Sequence, residues 1–125
     1  VWQGLEYGNA EAAFQSSRCA NERERKAFCN CSADKAALKG RAIVPPADWE
    51  DERVNIMESV LTAKFEQNPI LMNRLLETGC KLLINGNSKR ETYWGVDPYA
   101  WVGENQLGKL LTKIREKETR KWNVQ

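Results

Sequence analysis

With 125 residues, 42% of them apolar and 29% charged, the chain suffices for one compact domain and is too short for two independent cores. Its 19 Lys and Arg against 17 Asp and Glu leave a net charge of +2, a balance that by itself demands no polyanionic partner. No apolar run approaches the roughly 20 residues that span a bilayer, and Val1 to Glu6 lacks the basic and apolar regions of a signal peptide, so a soluble protein without membrane contact is expected.

Val1 to Tyr7 reads as a short strand or turn around Gly4 that brings the Tyr7 ring down onto the next segment of chain. Asn9 is a good N-cap for a helix carrying Glu11, Phe14, Gln15 and Arg18, and it sets Glu11 in the first turn, where the macrodipole favours a carboxylate. Asn21 caps a second short helix through Phe28. Ser32 caps a third that stops at Gly40, where a left-handed terminal position wants glycine. Pro45 and Pro46 reset the chain. From Trp49 to Phe65, Val54, Met57, Val60, Leu61 and Phe65 recur at helical spacing and predict the longest helix. Pro69 opens another, with Leu71, Met72, Leu75 and Leu76, closed by Thr78 and Gly79.

Cys80 to Ile84 then reads as a short buried strand, Asn85 to Lys89 as a turn, and Glu91 to Trp94 as a second strand able to pair with the first. The last helix runs from about Asn105 to Thr119 with Leu107, Leu110, Leu111 and Ile114 inward. Along it Lys109, Lys113, Arg115, Lys117, Arg120 and Lys121 face only Glu116 and Glu118, either as a solvated face or as one that neutralises phosphates. The expected fold class is α+β and mainly helical: one domain over residues 1–125 with about five to six helices and a small short-stranded sheet.

Chemistry is narrowed by what these residues are. With no histidine, the chain offers no imidazole for Ser-His or Cys-His nucleophiles, and Cys19, Cys29, Cys31 and Cys80 match no common zinc spacing. Buried or idle thiols in a reducing intracellular or cytoplasmic compartment, with neither metal nor cofactor, are the expectation. Carboxylates must then carry acid and base work, which suits glycoside chemistry, where a positioned carboxylate activates water and stabilises an oxocarbenium-like sugar. Glu11, beside Ala10, Ala12, Ala13 and Phe14, is the best candidate; the alternative is a surface Glu that complements the helix dipole.

Asp97 is a second candidate, or a turn residue before Pro98. Arg41 either clamps a phosphate or makes a surface ion pair, and Trp49 either stacks on a ligand or staples the helix entry. Trp94 beside Gly95, with Gly103, Asn105 and Gly108 opening the last helix, predicts a stacking surface next to unpaired helix N–H groups, suited to a base joined to a phosphate.

In order along the chain, Asn9 to Gln15, Lys39-Gly40-Arg41, Trp49 with Met57, Ala63-Lys64-Phe65 with Gln67 and Asn68, Leu75 to Gly79, Tyr93-Trp94-Gly95 and Gly103 to Gly108 resemble the motifs of the NADAR, or YbiA-like, family. The resemblance runs from about Gly4 to Lys117. It implies a metal-free N-glycosidase of the kind that either removes ADP-ribose from guanine in DNA or RNA or hydrolyses early riboflavin-pathway intermediates, and a non-catalytic ADP-ribose-binding module is a third reading. Carried over by position, Glu11 is the catalytic carboxylate, Trp49 and Trp94 stack on or enclose the substrate, and Gly103 and Asn105 hold ribose or phosphate oxygens. Asn9, Gln15, Arg41, Gly95 and Asp97 complete the implied substrate-binding set. Riboflavin-type members carry an Asp two residues after the loop Trp; here that place is Val96 and Asp97 comes one later, which favours the ADP-ribose branch. The family's strand and aromatic-rich segment before the position of Val1 is expected to be lacking.

Overall fold

Short polar side chains start the first three helices of the computed structural model, which describes residues 1–87 and 89–123. Of the turn expected over Asn85 to Lys89, Ser88 lies outside the described residues, as do Val124 and Gln125. Asn9 Oδ1 accepts from the Ala12 N–H at 2.8 Å and opens α1 (Ala10–Ser16). Asn21 Oδ1 accepts from Glu24 N–H at 2.9 Å and opens α2 (Glu22–Lys26), and Ser32 Oγ accepts from Lys35 N–H at 3.2 Å and opens α3 (Ala33–Arg41). Each cap satisfies one of the N–H groups a helix start leaves without a partner. The long periodic stretch forms α4 (Trp49–Glu66). By its internal contacts the chain forms two compact units, Val1–Gln67 and Asn68–Gln125.

In the first unit α1 packs against α2, α3 and α4. Ala12, Ala13, Phe14, Gln15 and Ser16 are all buried, and five successive positions cover every side of a helix, so α1 is enclosed rather than amphipathic. One cluster joins Ala12 to Cys19, Phe28, Cys31 and Ala36; another joins Ala13 to Trp2 and Val60. Tyr7 packs against both, and its hydroxyl accepts a hydrogen bond from Ser16 Oγ at 2.8 Å. Trp2 reaches its cluster through a two-residue hairpin turn. Gln3 and Gly4 take φ of 48° and 81° there, and Trp2 and Leu5 exchange backbone bonds of 2.8 and 3.1 Å.

Gly40 departs from expectation. It lies inside α3, which continues to Arg41, and is absent from the positive-φ positions. Space, not handedness, selects glycine: a Cβ there would overlap Gln15 Oε1 and stand 2.8 Å from Gln15 Cδ. All four cysteines are free thiols; Cys19 and Cys31 are buried, Cys80 exposed. Burial, with the Glu24 carboxylate adding to it, pushes the Cys19 thiol up.

In the second unit α5 (Pro69–Glu77) has Pro69 in its first turn and ends at Gly79, whose φ of 59° is the left-handed stop expected. It packs on α6 (Gln106–Asn123), with Met72, Leu75, Leu110 and Ile114 buried. Arg115, expected among the outward basic residues, is buried; its Nη1 donates to Thr78 Oγ1 at 2.8 Å and Lys81 O at 2.9 Å, bracing the end of α5. Lys109, Lys113, Lys117, Arg120 and Lys121 are exposed.

The two predicted strands do not pair. Cys80 to Leu82 and Ile84 are exposed, Leu82 at 81%, and the pairing among described residues is reduced to isolated bridges, Gly86 with Val96 and Asp97 with Val102 in this unit. Side chains do what a ladder would have done. Asn105 accepts from the Asn85 N–H at 2.9 Å and donates to Leu83 O at 2.8 Å, while Glu91 takes the N–H groups of Tyr93, Trp94 and Gly95. The architecture is therefore mainly helical, as expected, with six helices among the described residues and very little sheet.

Candidate active site

Glu11 sits in the first turn of α1, half-buried, because Asn9 fixes where that helix begins. One turn on, at i+4, Gln15 is 8% exposed and its Nε2 donates to Glu11 Oε1 at 2.8 Å. The bond holds one carboxylate oxygen and orients the other. Gln15 is held in turn by Gly40, whose missing side chain is the space its amide occupies. Gly40, Gln15 and Glu11 form a line of support from α3 through α1 to the carboxylate.

Trp49 opens α4 and is only 4% exposed as a residue, so it is not an open stacking surface. Its Nε1 donates to Ser17 Oγ at 2.8 Å, its ring lies 5.4 Å from that of Phe14 at 48°, and the Arg18 guanidinium covers it at 4.2 Å from the centroid. This matches the staple reading, strengthened by a cation–π contact. Asn9 is likewise engaged at both ends, capping α1 and donating from Nδ2 to Cys31 O at 2.9 Å. Arg41 is exposed at the end of α3. The first unit thus gathers Asn9, Glu11, Gln15 and Trp49 around α1. Arg18 joins them without having been singled out; its position seven residues after Glu11, on the same helical face, was the available signal.

The second unit gathers Trp94, Gly95, Asp97, Gly103 and Asn105 in the loop before α6. Here the expected anion site is already filled by protein. The N–H groups of Asn105, Gln106 and Leu107 donate to Gly95 O, Tyr93 O and Trp94 O at 3.2, 3.1 and 2.9 Å. They are therefore not offered to a phosphate. Asn105 itself, at φ 52°, has its amide engaged with Leu83 and Asn85. Gly103, at φ 152°, lies so close to the Gly95 carbonyl that a Cβ would stand 2.8 Å from Val96 Cα. Trp94 is half-buried, with the Tyr93 ring edge-on at 5.0 Å.

Asp97 is 5% exposed and is a turn residue. Its carboxylate accepts from Tyr99 N–H at 2.9 Å, Ala100 N–H at 3.4 Å and Arg90 Nε at 2.6 Å. Burial pushes this carboxyl up, but the Arg90 guanidinium and the two amide N–H groups outweigh it and hold it below the usual carboxylate range. Glu91, which organises Tyr93 to Gly95, was not anticipated; a carboxylate followed by backbone that fails to form a strand is its only sequence signal. Among the described residues no group of three or more His, Cys, Asp or Glu side chains is placed to hold a metal, and no helix is long and apolar enough to cross a membrane.

Residues 1–117 match the family model described as the NADAR domain. The N-glycosidase R617 of Acanthamoeba polyphaga mimivirus is 39% identical over 104 residues, 73% of this chain and 61% of that protein. The N-glycosidase YbiA of Escherichia coli is 32% identical over 116 residues, 90% of this chain and 71% of that protein. Its solved NMR structure superposes with a TM-score of 0.85 at 29% identity, covering 98% of this chain and 74% of that one. A riboflavin biosynthesis protein of Vibrio vulnificus, VVA0006, is 39% identical over 69 residues, 55% of this chain and 18% of that protein.

Proposed function

Because this chain belongs to the NADAR domain family, we propose that it is an N-glycosidase that hydrolyses the bond between a ribose anomeric carbon and a nitrogen. The observation that carries the reading is the Glu11 carboxylate, half-buried and fixed by the Gln15 amide at 2.8 Å. As the carbon–nitrogen bond lengthens, its electron pair leaves with the nitrogen and the sugar takes on oxocarbenium character. A carboxylate facing the anomeric carbon stabilises that charge and accepts a proton from the attacking water; the water oxygen bonds to carbon, and the proton taken up by the carboxylate is passed on to the departing nitrogen, which restores the carboxylate.

For substrate we favour ADP-ribose attached to guanine in nucleic acid. Asp97 supports this choice: it stands one residue beyond the place where riboflavin-type members carry their Asp, and its carboxylate is already engaged by Arg90, Tyr99 and Ala100. The second reading, hydrolysis of early riboflavin-pathway intermediates, draws support from the likeness to VVA0006, a protein named for riboflavin biosynthesis. Offering guanine-ADP-ribosylated DNA and a ribosylated pyrimidine intermediate in parallel, and monitoring release of the sugar phosphate, separates the two. Glu11→Gln, which preserves size and the helix, is expected to abolish release from whichever substrate is cleaved. A Glu11→Gln variant that turns over like the wild type removes the mechanism, and ADP-ribose binding with no turnover of any riboside leaves a binding module.

A further inference from the structure

We propose that Cys80 is a site of reversible S-thiolation by an anionic thiol peptide of the glutathione class, and that the groove beside it holds that peptide. This goes beyond the glycosidase reading and does not rest on it.

The groove lies wholly within the second unit, between the stop of α5 and the later turns of α6, and has a volume of about 500 Å3. Small-molecule sites occupy roughly 300–1,000 Å3, so a tripeptide is of the right size. After the left-handed stop at Gly79 the chain supplies Cys80, Lys81 and Leu82 to one wall. Glu116 and Arg120, one turn apart on α6, supply the other together with Arg115. Cys80 is exposed there, whereas Cys19 and Cys31 are buried and Cys29 is half-buried.

The state of Arg115 is the second observation. It is only 5% exposed, yet it lines the groove. Its Nη1 is engaged by Thr78 Oγ1 at 2.8 Å and Lys81 O at 2.9 Å, while Nε and Nη2 make no hydrogen bond with a described residue. A buried guanidinium held in place through one nitrogen, with its other donors unmatched beside a cavity, is a preorganised receptor for a carboxylate. Among the described residues Lys81, Glu116 and Arg120 form no ion pair either. Glutathione carries two carboxylates and one ammonium group. Three cations and one carboxylate around the thiol are the complementary set, with Glu116 left for the ammonium group.

The chemistry is thiol–disulfide exchange. The Cys80 thiolate attacks one sulfur of glutathione disulfide; a bond forms between Cys80 Sγ and that sulfur as the reagent's own S–S bond breaks. The second glutathione leaves with the electron pair and takes up the proton that Cys80 released. No further oxidant is consumed, and excess thiol reverses the step.

The test compares glutathione disulfide, which is anionic, with cystamine, which is cationic, by intact mass and peptide mapping of the whole chain. Each rate is divided by that of the same reagent with N-acetylcysteinamide, which removes intrinsic reactivity. Cys80 is expected to favour glutathione disulfide about tenfold or more, a preference that high salt erodes. Cys80→Ser is expected to remove the adduct. Lys81→Glu with Arg120→Glu reverses two exposed charges without touching the Arg115 brace, and is expected to abolish the preference. In the Cys80→Ser protein, S-methylglutathione, which cannot exchange, is expected to shift the amide resonances of residues 79–82 and 115–120. Equal normalised rates for the two disulfides, labelling of Cys29 as fast as Cys80, or unmoved amide resonances would leave an ordinary exposed thiol and overturn the proposal.

Discussion

Replacing Gly40 with alanine sets a methyl group against the amide that holds Glu11. The added Cβ would overlap Gln15 Oε1 and stand 2.8 Å from Cδ and 3.2 Å from Cβ. Carbon atoms pack best at about 3.5–4.0 Å. Gly40 and Gln15 are both buried and α1 is enclosed, so the clash is relieved only if the Gln15 side chain changes rotamer and breaks its bond to Glu11. Overpacking of this kind costs about 1–3 kcal/mol, and the better helix propensity of alanine offsets up to about 1 kcal/mol. A net loss of about 1–2 kcal/mol corresponds to roughly 4–8 °C in Tm for a chain of this size. Freeing the carboxylate adds a loss of up to about a hundredfold in kcat, the scale of a small misplacement at a reacting centre. Thermal unfolding and single-turnover hydrolysis measure the two effects. Combining Gly40→Ala with Gln15→Ala removes the overlapping atoms, so stability returns while activity does not. If Gly40→Ala melts with the wild type, or if the two substitutions are merely additive, the line of support from α3 to Glu11 does not exist.

Two further outcomes are expected from the packing and the turn. Trp49→Ala removes a buried ring contacting Phe14 and Arg18 and leaves the Ser17 hydroxyl without its donor; a loss of about 3–5 kcal/mol is expected, and an unshifted urea midpoint would contradict it. The Asp97 carboxyl, held low by Arg90 and the turn amides, contributes stability above the ordinary carboxylate pKa of about 3.9. That contribution is lost as pH falls through the lower folded value. Only as pH falls through that lowered value, below the ordinary carboxylate pKa, should the Tyr99 and Ala100 amide resonances therefore lose protection from hydrogen exchange, a change that Asp97→Asn makes at every pH; protection that is flat down to acid unfolding would show the carboxylate idle.

The local elements were legible because their causes are local. Asn9, Asn21 and Ser32 cap helices one to three residues away, Pro69 tolerates only a helix start, and Gly79 accepts a left-handed φ of 59° that other residues resist. The period of Met57, Val60 and Leu61 similarly belongs to one continuous helix. Glu11 and Gln15 could be paired on paper for the same reason, being one turn apart.

Tertiary structure decided the rest, wherever a residue's partner lies far along the chain. Gly40 looked like a stop because glycine usually signals backbone freedom, yet it serves Gln15, which reaches it only when α1 and α3 pack. Residues 80–94 carried strand-like composition, but Asn105 and Glu91 satisfy their backbone before a ladder can. The N–H groups that open α6 suggested an anion site until the carbonyls of Tyr93, Trp94 and Gly95 arrived to occupy them. Composition specifies which groups can bond, and short-range spacing specifies helices. Which donors remain for a ligand is settled only once the packed chain has matched its own buried polar groups, as the filled N–H groups of Asn105, Gln106 and Leu107 illustrate.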